Sequence, residues 1–341
     1  MQIQSDVSLK AYSTMRLGGN AAYLAHIHTE DELKEAIAWA QGKKLPVVMI
    51  GGGSNILWND AGFPGLVLVN EIKGYREEQL NDTHYRLTIG AGEIWDDIVA
   101  RTAEHGLSGI ENLSLIPGTA GATPVQNVGA YSQEIANTLV EVHAYDAQSN
   151  RMVTIPKEEC ELTYRSSRFK TNDHGRFFIT SIVLDLEKGN PQPPFYPPLQ
   201  RYLDEHHITE FTPRTLREAV IAVRTAKLPD PKKIANNGSF FANPIISQPQ
   251  LEALQAAYPD LTYWPVGDGA YKIPAAWLVQ EAGFKAAHDT ETGMATWPAQ
   301  ALVLVNEHAK STADALKFEQ KIIDAVQQKF GIQLAREPQV L

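Results

Sequence analysis

From Thr29 onward, apolar side chains recur at Leu33, Ala36, Ile37 and Ala40, the spacing of one helical face. Thr29 with Glu32 forms a capping box, and Gly42 ends the run. A strand, Val47 to Ile50, follows at once and enters Gly51-Gly52-Gly53-Ser54-Asn55. A second apolar strand, Gly65 to Val69, begins after only nine residues, 56–64. A dinucleotide-binding Rossmann unit needs a whole crossover helix after its glycine turn, and Ile56-Leu57-Trp58-Asn59-Asp60-Ala61-Gly62-Phe63-Pro64 is too short and too rich in breakers to supply one. Position 56 is also Ile where G-x-G-x-x-G requires its third glycine. The turn is therefore a loop of another kind.

Further along, the pattern predicts a strand at Tyr85–Ile89, the turn Gly90-Ala91-Gly92, and a helix over Glu93–His105 closed by Gly106. Residues 110–131 hold five Gly or Pro between positions 117 and 129, too many turn formers for one regular element, yet the stretch is too apolar for a disordered linker. It reads as an ordered loop lying against something. Strands are expected at Val140–Tyr145 and Phe177–Leu186, and the proline cluster 190–198 reads as a surface loop or lid. A helix opens with Thr212 as N-cap and Pro213 in its first turn and runs to Lys227, where Leu228-Pro229-Asp230-Pro231 marks the main domain boundary. The last third alternates helices (248–257, 274–282, 312–329) with strands (Tyr271–Ile273, Ala301–Asn306).

Composition narrows what this scaffold could serve. The chain has 341 residues, enough for two or three domains, with 30 Lys+Arg against 40 Asp+Glu. A net charge of −10 argues against bulk attraction to nucleic acid or to an anionic membrane. Apolar runs such as 47–50 and 301–305 are strand-sized, far short of the ~20 residues of a membrane span, and the first residues lack a signal-peptide pattern, so a cytoplasmic protein is expected. The single cysteine, Cys160, excludes an internal disulfide and reads as a buried thiol. The histidines, including His26, His28, His206 and His207, have no metal-ligand spacing, and no metal is expected. Against the global charge, residues 224–233 carry Arg224, Lys227, Lys232 and Lys233 with only Asp230 opposing, a patch suited to a diphosphate.

Two glycine-rich segments, 51–55 and 117–129, can direct backbone N–H groups at phosphate oxygens without interference from Cβ. By themselves they are equally compatible with a nucleotide cofactor and with plain structural turns. Their arrangement resembles something specific. Thr14-Met15-Arg16-Leu17-Gly18-Gly19, Ile50 to Asn55, Gly90-Ala91-Gly92, Ile116 to Tyr131, Tyr164-Arg165-Ser166-Ser167-Arg168-Phe169, Arg224 to Pro231, Gly238-Ser239-Phe240-Phe241-Ala242-Asn243-Pro244 and Gln300 to Asn306 are similar, in order, to the UDP-N-acetylenolpyruvoylglucosamine reductase (MurB) family, in the subclass with a tyrosine-bearing loop insertion.

That resemblance implies an α+β protein: an FAD-binding domain of the vanillyl-alcohol-oxidase type in two lobes, 1–68 and 69–226, a C-terminal α/β substrate-binding domain, 227–331, and a tail, 332–341, returning to the active site. It implies a cytoplasmic monomer in which NADPH reduces non-covalent FAD and the reduced flavin passes hydride to C3 of the enolpyruvyl group, with protonation at C2. Ile50, Gly51, Gly52, Gly53, Ser54, Asn55, Ile116, Pro117, Gly118, Thr119, Gly121, Ala122, Gln126 and Gly129 would hold the flavin. Tyr131, Tyr196, Arg224, Lys227, Asn243 and Gln300 would contact the nucleotide-sugar substrate. Ser239 matches the proton donor, Arg165 the cation that stabilises the enolate, and Glu337, in Leu334-Ala335-Arg336-Glu337, the assisting carboxylate. Read without the resemblance, Ser239 is a turn residue, Arg165 a surface ion-pair partner and Glu337 part of a frayed tail. An FAD oxidase of the same fold and a non-catalytic nucleotide-sugar binding protein are the alternatives. Neither needs a proton donor beside an enolate-stabilising cation.

Overall fold

The apolar stripe after Thr29 forms helix α1, Glu30–Gly42, with Thr29 Oγ1 accepting from the Glu32 N–H at 3.1 Å. Its Leu33, Ala36, Ile37 and Ala40 are buried against Ala25, Ile27, Leu66 and Leu68 of a four-stranded sheet. That sheet runs Ile3–Ser8, Asn20–Ile27, Phe63–Asn70, Val47–Ile50, and its central strand Phe63–Asn70 is parallel to both neighbours. The computed structural model describes all 341 residues, and they fall into two units. The first comprises Met1–Val7, Ala21–Gly53 and Phe63–Ala226; the second comprises Ser8–Asn20, Ser54–Gly62 and Lys227–Leu341.

In the first unit an antiparallel sheet follows the order Arg151–Pro156, Leu139–Asp146, Phe177–Lys188, His84–Gly90, Tyr75–Gln79, with Leu107–Ser108 paired to the third of these. Helix α2, Trp95–Glu104, buries Trp95, Ile98 and Val99 against Leu87, Ile89, Ile182 and Leu184 from the sheet. It is shorter than the expected 93–105 because Glu93 N–H is spent on Gly90 and Ile94 is the N-cap. The proline cluster is not loop throughout. Pro197-Pro198 open helix α3, Pro197–Glu205, where a missing N–H costs nothing. Helix α4, Pro213–Lys227, packs its Leu216, Ala219 and Val220 with Leu199 and Leu203 of α3.

The second unit has an antiparallel sheet in the order Asn236–Ser239, Gln300–Asn306, Met294–Trp297, His288–Asp289, and a three-stranded one built from Ile245–Ser247, Ala270–Lys272 and Trp264–Gly267. Helices α5, Gln248–Ala257, and α7, Thr312–Phe330, have the expected extents. Helix α6 is α-helical only over Ala275–Val279, because the following turn contains Gly283 at φ 94°. Residues 8–20 and 54–62, expected in the first flavin lobe, belong to this unit because their apolar side chains do. Met15, Leu17 and Leu57 are buried in one core with Phe240, Phe241, Leu304, Phe318 and Ile322.

Candidate active site

Gly51 and Gly52 of the first glycine segment meet Gly118 and Thr119 of the second within the first unit. At Gly51 an added Cβ would lie 2.2 Å from Thr119 Oγ1, which real Cβ atoms do not allow, and at Gly52 one would lie 3.1 Å from Gly118 Cα, a tight contact. The bridge between Ile94 and Thr119 spends the carbonyls of Glu93 and Gly118 on Ala120 and Trp95 N–H. The N–H groups of Gly52, Gly53, Gly118 and Thr119 donate to no carbonyl of the chain. A cluster of free backbone donors where two loops approach without Cβ atoms fits a pyrophosphate, the central group of FAD.

Arg165 lies in a tight turn closed by reciprocal hydrogen bonds between Thr163 and Ser166, both 3.1 Å, and it adopts φ 56°. A non-glycine residue in this region stores strain that the surroundings must enforce. The enforcement is visible: Ser167 Oγ donates to Val125 O at 2.6 Å and Asn127 Nδ2 donates to Thr163 O at 3.1 Å, tying the turn to the 117–131 loop. The half-buried Arg165 side chain donates from Nη2 to Gly129 O at 2.8 Å.

Tyr131 and Tyr196 stack edge to face with centroids 5.6 Å apart, Tyr196 being the N-cap residue of α3. Burial pushes both phenols up, and the neighbouring Arg224 opposes this at Tyr131. Arg224 itself sits half-buried on α4, its Nε without a partner, and burial lowers its pKa against the pull of Tyr131 and Asp96. A half-buried cation whose buried Nε has no partner is a ready contact for an anionic ligand.

Sequence reading missed the device that holds this corner. Asp96, on the first turn of α2, accepts from Leu115 N–H at 2.6 Å and from both terminal nitrogens of Arg217 at 2.6 and 3.1 Å. Burial pushes the Asp96 carboxyl up, but the Arg217 guanidinium and the Leu115 N–H outweigh it and hold the group below its ordinary value. Arg224 Nη2 takes the carbonyl of the same Leu115 at 3.4 Å. Leu115, at φ 59°, directly precedes the Ile116-Pro117-Gly118-Thr119 loop, so α2 and α4 together fix where that loop starts.

In the second unit Ser239 ends the strand Asn236–Ser239, half-buried, opposite Val303 of the strand that Gln300 begins. The preceding Gly238, at φ 70°, donates to Asn236 Oδ1 at 2.8 Å. Asn237, also missed, is buried and its Nδ2 lies 3.1–3.2 Å from Thr14 Oγ1, Ser54 O and Ile56 O. Asn243 Oδ1 accepts from Ala275 N–H at 2.9 Å, so this oxygen caps α6. Lys227 stands exposed as the last residue of α4.

Glu337 is not in a frayed tail. After Gly331 ends α7, Ala335 O accepts from Ala242 N–H at 3.0 Å, Glu337 N–H donates to Phe240 O at 2.9 Å, and Gln339 N–H donates to Asn55 O at 3.0 Å. Gln339–Val340 then pairs in parallel with Ile56–Leu57. The chain end is thereby laid beside the residue that follows Ser239, and Glu337 O lies 3.5 Å from Asn55 Nδ2. Elsewhere, Cys160 is fully buried and burial pushes its thiol up to about 12, which suits a structural residue. No helix is long and apolar enough to cross a membrane.

Comparison with known proteins extends this picture. Residues 21–154 match the family described as FAD binding domain, and residues 230–341 match the UDP-N-acetylenolpyruvoylglucosamine reductase C-terminal domain. Together these two matches and the relatives below make the chain an FAD-dependent oxidoreductase. Over 333 residues the chain is 39% identical to the UDP-N-acetylenolpyruvoylglucosamine reductase of Cupriavidus pinatubonensis, covering 98% of this chain and 97% of that protein. The enzyme of the same name from Alcanivorax borkumensis is 40% identical over 337 residues, 98% and 95% of the two chains. A solved structure of the Thermus caldophilus enzyme shares the fold, with TM-score 0.66 and 22% identity over 100% and 99% of the chains. The protein belongs to the UDP-N-acetylenolpyruvoylglucosamine reductase family, whose members use FAD and NADPH.

Proposed function

We propose that the protein reduces UDP-N-acetylglucosamine enolpyruvate to UDP-N-acetylmuramate with electrons from NADPH, in the cytoplasm. The observation that carries the reading is the hydrogen bond from Glu337 N–H to Phe240 O, 2.9 Å, which lays an acidic residue beside the Gly238-Ser239 turn in a chain that matches its relatives from end to end. Residues 1–226 serve the flavin, 227–331 serve the substrate, and 332–341 bring Glu337 to the chemistry.

Residues 50–55 and 116–129 would hold FAD, which when bound would supply the hydride, drawn from NADPH, that reaches C3 of the enolpyruvyl double bond. The electron pair displaced to C2 spreads into the substrate carboxylate, and the Arg165 guanidinium offsets that charge with a planar fork that lysine lacks. The Ser239 hydroxyl delivers the proton to C2, and Glu337 supports that delivery. Lys227 and Arg224 meet the diphosphate, Tyr131 and Tyr196 cover the substrate, and Asn243 and Gln300 make further contacts with it.

An anaerobic absorbance titration tests the reading. The yellow protein should bleach with NADPH and recover its colour on addition of UDP-N-acetylglucosamine enolpyruvate. Recovery in air without that substrate marks an oxidase, and a protein that never takes up FAD overturns the flavin assignment. Ser239→Ala should leave bleaching near the native rate and slow recolouring by about 100-fold to 10,000-fold, the range for loss of a general acid. Equal slowing of both steps would remove Ser239 from the role.

A further inference from the structure

The apolar stripe of α7, Ala315, Phe318, Ile322 and Val326, contains one carboxylate. Glu319 lies four residues after Ala315 and three before Ile322, on the buried face, and is 2% exposed. An isolated buried carboxylate is costly, and this one is met by a single cation, Arg336. Arg336 Nε stands 2.8 Å from both Glu319 oxygens, and Nη2 stands 2.8 Å from Oε2. The Arg336 side chain keeps 32% of its surface in water, so the pair is anchored on the helix side and reaches outward to the tail. Arg336 also forms an isolated antiparallel bridge with Phe241, two residues from Ser239.

We infer that Glu319 is a positioning residue that, through Arg336, sets the orientation of Glu337 for protonation of the substrate. The inference rests on the role proposed above for Glu337. In an extended segment, consecutive side chains leave the backbone on opposite sides. Clamping the Arg336 guanidinium onto α7 turns Glu337 to the opposite face, and the Glu337 N–H bond to Phe240 O fixes its height beside the Ser239 turn. Backbone hydrogen bonds at Ala335, Glu337 and Gln339 set the register of the tail. The bidentate ion pair adds a side-chain anchor between them that narrows the remaining swing of residues 336–337, because a planar guanidinium and a planar carboxylate match in one orientation. The carboxylate is supplied from within a helix core, so it cannot follow the tail if the tail turns.

The test separates the two half-reactions by stopped-flow absorbance in the full-length holoenzyme. Glu319→Gln keeps the shape of the side chain and removes its charge. Bleaching by NADPH should stay within about twofold of native, while recolouring by UDP-N-acetylglucosamine enolpyruvate slows by about tenfold to 100-fold, the loss expected when a reacting group is misplaced by an ångström. In a Glu337→Gln background the same substitution should add almost nothing, because there is no carboxylate left to orient. Arg336→Lys, which keeps the charge without the fork, should fall between native and Glu319→Gln.

Recolouring at the native rate in Glu319→Gln, with Glu337→Gln slow, overturns the inference and leaves the role of Glu337 standing. Equal slowing by Glu319→Gln in both backgrounds, or equal slowing of both half-reactions, reduces Glu319 to general stability and also overturns it. A native rate in Glu337→Gln itself overturns the role of Glu337 and the inference with it. Should Glu319→Gln fail to retain flavin, the double variant Glu319→Gln/Arg336→Gln, which leaves no unpaired charge, gives the same comparison.

Discussion

At Gly51 one methyl group decides whether two loops can approach. A Cβ there would lie 2.2 Å from Thr119 Oγ1, 3.3 Å from its Cβ and 3.4 Å from its Cγ2, and a short branched side chain has little room to yield. Gly51→Ala should weaken FAD binding by roughly 5-fold to 100-fold, the equivalent of the 1–3 kcal/mol that overpacking costs. Flavin fluorescence quenching on titration of the apoprotein measures this, and Gly52→Ala, whose Cβ would meet Gly118 Cα at 3.1 Å, should do less harm. An affinity unchanged in Gly51→Ala would mean that the close approach of the loops is not what the flavin needs. The residues read from sequence, Gly51 among them, lie in contiguous motifs whose own order carries the information. Asp96, Asn237 and Glu319 do not: Asp96 meets Arg217 across 121 residues and Asn237 meets Thr14 across 223, so nothing beside them in the chain announces the partner. Glu319 left a trace, a carboxylate on an otherwise apolar helical stripe.

Among the elements, long periodic helices were legible and short pairings were not. Helices α1, α4, α5 and α7 fall within a residue or so of the stripe-and-cap reading, since each carries its own stop, such as Gly331 at φ 67° after α7. Two-residue strands such as Gln339–Val340 pair with segments almost the whole chain away and have no period of their own. The join of α2 to α4 is of this second kind and yields its own prediction. Asp96→Asn keeps the shape but loses charge towards Arg217 and Leu115 N–H, so the start of the 116–131 loop, proposed to hold the flavin, should loosen. Loss of a charged hydrogen bond of roughly 1.5–3 kcal/mol corresponds to about 10-fold to 100-fold weaker flavin retention. Acid should imitate the substitution. The folded-state pKa of Asp96 is depressed, so its contribution is complete above the unfolded value of about 3.9 and is lost as pH falls through the folded value. Native protein should therefore hold flavin unchanged from pH 7 to about pH 5, with Asp96→Asn weaker throughout that window, as equilibrium dialysis at each pH would show.

For the whole molecule, the sequential domain scheme breaks where apolar side chains cross it. The C-terminal family match begins at residue 230, yet the core of that unit includes Met15, Leu17 and Leu57, at 0%, 2% and 0% exposure, from segments that precede it by more than 170 residues. Their burial is continuous with Phe240, Phe241, Phe318 and Ile322, and Thr312 at the start of α7 bonds to Trp58 O at 2.7 Å through its hydroxyl. The boundary at Leu228-Pro229-Asp230-Pro231 was readable because it is written in prolines. The donated segments were not, because a three-residue apolar contribution has no period and no punctuation. Removing one such side chain from a core costs about 2–5 kcal/mol, and a domain's whole stability is about 5–15 kcal/mol. A fragment spanning residues 227–341 alone lacks all three and exposes the surfaces they covered. It should keep far-ultraviolet circular dichroism while losing near-ultraviolet signal, bind a hydrophobic dye, and melt without a cooperative transition. In the full chain Met15→Ala should lower the stability of the second unit by about 2–5 kcal/mol with a cooperative melt retained. A sharp, dye-free melt of the isolated fragment would show that residues 8–20 and 54–62 decorate that core without completing it.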